Sequence, residues 1–257
     1  MMPEKTIFIT GAASGIGKET ATLFAERGWY VGLYDIREPA LQALYHALKG
    51  ERCCYQALDV ADPDSVQAAL DHFAAHTGGR LHVLFNSAGV FATGPFETLE
   101  QDTHHRMMDV NVKGVLNCMY LAFPLLRKTP GARVINMASA SAVYGTPDLA
   151  SYSASKFAVR ALTEALHIEW ARHGIIVSDI LPPFVDTPMV QQARKTKSME
   201  RLGIHLTPEQ IAGIVWKAAH GTRIHWVVTA QFKLLWWLSG LFPTRLNHLV
   251  TRFIAGY

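Results

Sequence analysis

The sequence predicts a single-domain α/β protein built on a doubly wound, mostly parallel, seven-stranded sheet with helices on both faces. Three observations predict it. Short apolar runs alternate with longer helical patterns along most of the chain. These runs are apolar almost throughout, not at every second position, which suits strands covered on both faces. The first run ends in a glycine-rich turn that opens a helical pattern. The length, 257 residues, is within the range of one α/β domain.

The strands are expected at residues 6–10, 29–34, 81–85, 133–137, 175–180 and 224–228, with 53–58 a weaker seventh. The first helix, 15–27, carries Ile16, Thr20, Leu23 and Phe24 on one stripe. The second, 39–48, begins at Pro39 and ends before Gly50; the third, 64–76, also follows a proline. Two longer patterns cover about 99–126 and 150–173. This alternation argues for an open sheet whose ligand sits beyond the carboxyl ends of its strands.

Composition narrows the function. Hydrophobic residues make up 49% and charged residues 18%, with a formal net charge of +3. The cations are scattered, so nucleic acid is excluded as an expected partner. Cys53, Cys54 and Cys118 are odd in number and two are adjacent, which disfavours a disulfide framework and suits a reduced, cytoplasmic setting. No signal peptide is expected, because Lys5 and a glycine turn follow the start almost at once. The apolar run 234–242 is far short of the roughly 20 residues a spanning helix needs. Twelve histidines include the i,i+4 pair His72 and His76 and the neighbours His104 and His105. No cysteine or carboxylate joins them in a recognisable ligand spacing, so no metal is expected.

The turn after the first strand reads Gly11-Ala12-Ala13-Ser14-Gly15-Ile16-Gly17. Glycine lets the backbone turn tightly and approach a pyrophosphate with no Cβ in the way. The free N–H groups at the following helix start favour phosphate charge. A plain glycine turn is the competing explanation, and the strand–turn–helix context favours cofactor binding. The second strand is followed by Asp35, 18 residues after Gly17. A carboxylate there accepts hydrogen bonds from ribose hydroxyls and repels a 2′-phosphate. Ser14 offers no positive charge to such a phosphate, and Arg37 is the only nearby cation. NAD is therefore expected over NADP.

The helix 150–173 carries Tyr152 and Lys156, one turn apart on one face. A phenol is a poor base at neutral pH, and a neighbouring ammonium favours its ionised form. That pairing makes an acid/base group of the kind hydride chemistry needs. Such pairs are common by chance. Ser139, at the carboxyl end of strand 133–137, adds a hydroxyl able to hold a substrate oxygen.

At this point the chain resembles the short-chain dehydrogenase/reductase superfamily in its common short form, over about residues 5–230. The resemblance implies a Rossmann fold. Thr10-Gly11-x-x-x-Gly15-x-Gly17 resembles that family's cofactor loop; the extended branch spaces its glycines differently, which counts against an epimerase or dehydratase. By resemblance, Asp59 and Val60 contact the adenine, and Asn86-Ser87-Ala88-Gly89 stands for the family's Asn-Asn-Ala-Gly. Asn111 matches the helix asparagine that holds a relay water, which with Ser139, Tyr152 and Lys156 completes a catalytic tetrad. Lys156 would lower the Tyr152 pKa and bind the nicotinamide ribose. After the sixth strand the family usually reads Pro-Gly; here Pro182 is followed by Pro183, while Val185 and Thr187 still match the positions that bond the carboxamide.

The expected substrate is a small apolar secondary alcohol or its ketone. Phe91, Phe96, Val143, Tyr144, Phe184, Met189 and Met199 are candidate pocket walls, and no cation stands as an obvious carboxylate clamp. Residues 231–257 form an apolar and amphipathic tail beyond the 1–230 domain. It has Trp236 and Trp237, then apolar residues at 246, 249, 250, 253 and 254 with Arg245, His248 and Arg252 elsewhere. Three roles compete for it: a subunit interface or pocket cover, a peripheral membrane contact, and disorder. The family resemblance implies a homodimer or homotetramer, with 99–126 and 150–173 as natural interface helices. Two other functions compete with NAD-linked oxidation: an NADPH-dependent ketone reductase, and a nucleotide-sensing protein that has lost the chemistry. Retention of both Tyr152 and Lys156 counts against the last.

Overall fold

A computed structural model describes residues 5–239 and 244–256. Seven strands form one sheet in the order β3-β2-β1-β4-β5-β6-β7, with every neighbouring pair parallel. They are β1 (Thr6–Thr10), β2 (Tyr30–Asp35), β3 (Cys53–Ala57), β4 (Val83–Asn86), β5 (Arg133–Met137), β6 (Ile176–Leu181) and β7 (His225–Val227). Alternate strand residues face opposite layers. Phe8 and Tyr34 join one core with Phe73 and Val159, while Ile7, Ile9 and Leu33 join the other with Phe24 and Leu41. Both faces of the central strands are dry, which is why these read as unbroken apolar runs, while the edge strands β3 and β7 are only part-buried.

Helices α1 (Gly15–Glu26) and α2 (Glu38–Ala47) cover one face, and α3 (Pro63–Thr77) the other. The ends of α3 follow from its sequence. Asp62 accepts the Asp64 N–H at 3.0 Å, Pro63 starts the helix, and Gly78 stops it in the left-handed region at φ 61°.

The expected helix over 99–126 is present without a gap from Gln101 to Lys128 but is not α-helical throughout. It is α4 (Gln101–Met108), a π-helical turn (Asp109–Lys113) and α5 (Gly114–Lys128). The extra residue in the π turn resets which side chain faces the sheet, and it brings Asn111 inward. The 22-residue α6 (Ala150–Ala171) matches its expected start.

Three helices between β6 and β7 had no counterpart in the sequence reading: α7 (Pro188–Gln191), α8 (Lys197–Leu202) and α9 (Pro208–Ala218). The last packs on α1 and opens with a full capping box, in which Thr207 accepts the Gln210 N–H and the Gln210 side chain accepts the Thr207 N–H.

The tail follows β7 as α10 (Ala230–Ser239) and α11 (Thr244–Ala255). Within it, α11 packs against α8, and the Arg201 guanidinium lies over the Phe253 ring at 4.8 Å. The Leu241-Phe242-Pro243 part of the tail lies outside the described residues. Among the described residues no helix is long and apolar enough to cross a membrane.

Candidate functional site

A cleft of about 780 Å³ opens beyond the carboxyl ends of β1, β2, β4, β5 and β6. Its floor is the loop after β1. Gly11 has φ 70°, and a Cβ on it would lie 2.8 Å from the Ala88 backbone. A Cβ on Gly17 would strike the Gly11 carbonyl oxygen. Only glycine lets this loop close onto the chain after β4. No side chain caps the start of α1, where Ser14 is the N-cap. Its first-turn N–H groups are therefore available to an anion. Gly15, Ile16 and Gly17 line the same wall. This cradle fits a dinucleotide pyrophosphate.

At the end of β2, Asp35 is 7% exposed and accepts the Ala13 and Arg37 N–H groups at 3.1 and 3.0 Å. The Arg37 guanidinium reaches back to the same carboxylate at 3.2 Å and to the Ser14 hydroxyl at 2.7 Å. Asp59 and Val60 form the next wall, with the Asp59 carboxylate 3.5 Å from Arg106. Ala88 and Gly89 line the cleft after β4.

Asn86 does not reach the lining. Its amide donates to Asn136 at 2.8 Å and ties β4 to β5 from inside the core. Asn111 also sits behind the wall. It accepts the Val90 N–H at 2.8 Å, donates to the Val90 carbonyl at 3.0 Å, and donates to Ser155 at 3.1 Å.

Ser139, Tyr152 and Lys156 meet in the middle of the cleft. Ser139 adjoins the phenol, and the Phe91 ring stands edge-on to Tyr152 at 4.7 Å. Lys156 donates to the Met137 carbonyl at 2.8 Å, and its ammonium lies 5.6 Å from the Tyr152 ring centre. Burial pushes the phenol up to about 12, with the adjoining Ser139 hydroxyl opposing. Burial also pushes the Lys156 ammonium down to about 8. The sequence reading expected a lowered phenol pKa. In the protein alone desolvation wins, because the ammonium is turned to the Met137 carbonyl.

Pro182, Val185 and Thr187 line the far side after β6, with Pro183 and Phe184 between them. The Pro182 carbonyl accepts the Ala140 N–H at 2.9 Å, which ties this loop to the Ser139 turn. Thr187 caps α7.

The substrate end is apolar. Phe91, Tyr144, Phe184 and Met189 line it as expected. Phe96, Val143 and Met199 are outside the lining: Phe96 is exposed and stacked on His104, Val143 packs into the core, and Met199 is buried. Leu202, Leu206, Phe232, Thr251 and Ile254 complete the wall. Of these, the sequence singles out only Ile254, as part of the tail's apolar stripe. Of the tail's expected apolar stripe, Leu246, Leu249 and Phe253 are exposed, while Ile254 reaches the cleft, in keeping with a pocket cover as one of the three roles expected for the tail.

The sequence pattern of the short chain dehydrogenase family matches residues 5–198. A cyclohexanol dehydrogenase from Acinetobacter sp. (strain SE19) is 33% identical over 220 residues, covering 82% of this chain and 86% of that protein. A short chain dehydrogenase/reductase from Burkholderia phymatum, solved in complex with NAD, superimposes with a TM-score of 0.82 at 26% identity, over 93% of this chain and 94% of that one. A 3-ketoacyl-(acyl-carrier-protein) reductase from Brucella melitensis, complexed with NADH, gives 0.80 at 27% identity, over 87% and 96% of the two chains. With the family pattern running from β1 to α8 and the fold shared with the two solved structures, this chain belongs to the short chain dehydrogenase family of oxidoreductases.

Proposed function

We propose that the protein is an NAD-dependent dehydrogenase that interconverts a hydrophobic secondary alcohol and its ketone. The observation that carries this reading is the meeting of Ser139, Tyr152 and Lys156 in a cleft that is apolar at one end and has the Asp35 carboxylate at the other. The likeness to a cyclohexanol dehydrogenase supports the substrate class.

When bound, the nicotinamide would accept the hydride, and its positive charge would favour the phenolate. Ser139 donates to the substrate oxygen and orients it. Tyr152 takes the hydroxyl proton as the C–H bond gives up its hydride, and the C–O bond becomes a carbonyl. Lys156, released from the Met137 carbonyl, would hold the nicotinamide ribose and stabilise the phenolate. Asn111 holds the chain after β4 by its two bonds to Val90 and backs the lysine. Gly11, Gly15 and Gly17 would receive the pyrophosphate. Asp35 would take the ribose hydroxyls, Asp59 and Val60 the adenine, and Val185 and Thr187 the carboxamide.

Residues 231–257 act as a cover on the substrate end, which Thr251 and Ile254 support by lining the cleft. A cytoplasmic homodimer or homotetramer is the proposed assembly. Exposed Leu116 and Tyr120 on α5, with Phe157 and Ile168 on α6, support these helices as the interface. One observation favours a second reading, an NADPH-dependent reductase: Arg37 already reaches Ser14 at the rim where a 2′-phosphate would lie.

The test is reduced-nicotinamide absorbance over a panel of apolar and polar secondary alcohols, with NAD and NADP in turn. Turnover with NAD is expected on apolar alcohols, reduced about 10²- to 10⁴-fold in Tyr152→Phe with NADH binding retained. Equal turnover in the variant would remove the proposed base.

A further inference from the structure

The edge of the sheet farthest from β7 carries a group of side chains that the proposed reaction does not use. Cys54 lies on β3, and His72 and His76 lie one turn apart on α3, which covers that strand. The Cys54 sulfur and one ring nitrogen from each histidine all lie within 4.8 Å of one another. The sequence separates them by 18 and 22 positions, which is why no ligand spacing was visible in it. We propose that Cys54, His72 and His76 form a binding site for a zinc-class divalent ion, distinct from the cofactor cleft.

Four observations support it. The donors are one sulfur and two imidazoles, a set that suits zinc and its neighbours and rejects magnesium or calcium. The His76 Nδ1 lies 2.8 Å from the His72 carbonyl. Donation to that carbonyl puts the proton on Nδ1 and leaves the Nε2 lone pair for a ligand, the usual arrangement around a metal-bound histidine. The Tyr34 hydroxyl lies 3.1 Å from the His72 Nδ1 and 3.6 Å from the Cys54 sulfur, so it orients both donors from the core side. Burial runs from buried Cys54 through half-buried His72 to exposed His76, which gives an ion a route from solvent and a position for a water as fourth ligand.

Binding would replace the thiol S–H bond with a sulfur–metal bond and release one proton to solvent. The ion would pin edge strand β3 to α3. It would not touch the cleft, because Cys54 lies three residues, about 10 Å, toward the amino end from Ala57.

The experiment uses the untagged full chain, reduced and treated with chelator, then titrated with Zn²⁺, Co²⁺ and Mg²⁺. One zinc per chain, a thiolate-to-cobalt charge-transfer band and no magnesium uptake are expected. Zinc should raise the melting temperature and leave NADH binding unchanged. Cys54→Ser and His76→Gln should each weaken zinc by about tenfold or more, while Cys53→Ser should not. His76 is exposed, so its variant tests the site even if the buried Cys54 substitution disturbs folding. Absence of the cobalt–thiolate band, or zinc binding unchanged in His76→Gln, would overturn the proposal.

Discussion

Replacing Asp35 by Asn should move cofactor preference from NAD toward NADP. The position is tightly built: the carboxylate is 7% exposed and accepts two backbone N–H groups and the Arg37 guanidinium. Asparagine keeps an acceptor oxygen and much of that geometry, so the change isolates charge. Hydrogen bonds to a charged group contribute about 1.5–3 kcal/mol, against about 1 for a neutral pair. NADH should therefore bind about tenfold more weakly. For NADPH the sign reverses. Two unit charges about 4 Å apart repel by about 4 kcal/mol at an effective dielectric of about 20. Arg37 is half exposed beside the carboxylate and, with solvent, screens much of this. A residual relief of about 1.5 kcal/mol, or roughly tenfold, is expected.

The two effects together shift the NADH-to-NADPH affinity ratio by about a hundredfold. The assay is fluorescence titration of both reduced cofactors, which needs no knowledge of the substrate. Arg37→Ala is the matching control: it should weaken NADPH and spare NADH. If Asp35→Asn leaves the ratio within about threefold of the parent, Asp35 does not face the ribose and the argument for NAD fails.

Three further outcomes follow from the same structure. Lys156 is held at about 8 instead of 10.5, a cost of about 3 kcal/mol that is full below pH 8 and gone above pH 10.5. Between those values the unfolded chain binds the extra proton, so stability rises with pH. The difference in unfolding free energy between the parent and Lys156→Met should therefore shift in the parent's favour from pH 7 to pH 10; no shift would contradict the buried, partly discharged lysine. Thr207→Ala removes the capping box of α9 and should lower stability by about 1 kcal/mol in denaturant titration, with NADH binding unchanged. Ile254→Ala trims the wall that α11 lends the cleft, and KM for an apolar alcohol should rise by about tenfold while KM for NAD stays put. An unchanged substrate KM would mean that the tail does not cover the substrate.

The cofactor half of the cleft was legible because its signals are local. The glycine loop, the strand before it and the helix after it are contiguous, and Asp35 stands at the carboxyl end of the very next strand. Strands at both sheet centre and edge were found to within a residue or two; burial on two faces leaves an unbroken apolar run at the centre, while the half-buried edges β3 and β7 give shorter, more mixed runs. Tyr152 and Lys156 were legible as a pair one turn apart. The π turn at Asn111 was not, because it is one added residue within a run that stays helical on both sides of it. Helix α9 does carry a local signal, Thr207-Pro208-Glu209-Gln210, a capping box with proline in its first turn.

The substrate half was less legible for a physical reason. Its wall is assembled from segments far apart in the chain, each contributing one or two apolar side chains: Phe91 after β4, Tyr144 after β5, Phe184 after β6, Leu202 from α8 and Ile254 from α11. A single apolar residue in a loop carries no periodicity, so Phe96, Val143 and Met199 read the same as the residues that do reach the cleft. The Cys54, His72 and His76 group illustrates the same limit. Two of its members show an i,i+4 spacing, and the third comes from a strand that only the packing of α3 on β3 brings near. Chemistry written along one element can be read from sequence, whereas chemistry shared between elements needs the fold. Asp35 and Tyr152 examine what the local motifs imply, while Ile254 and His76 examine what only the packing of distant segments brings together.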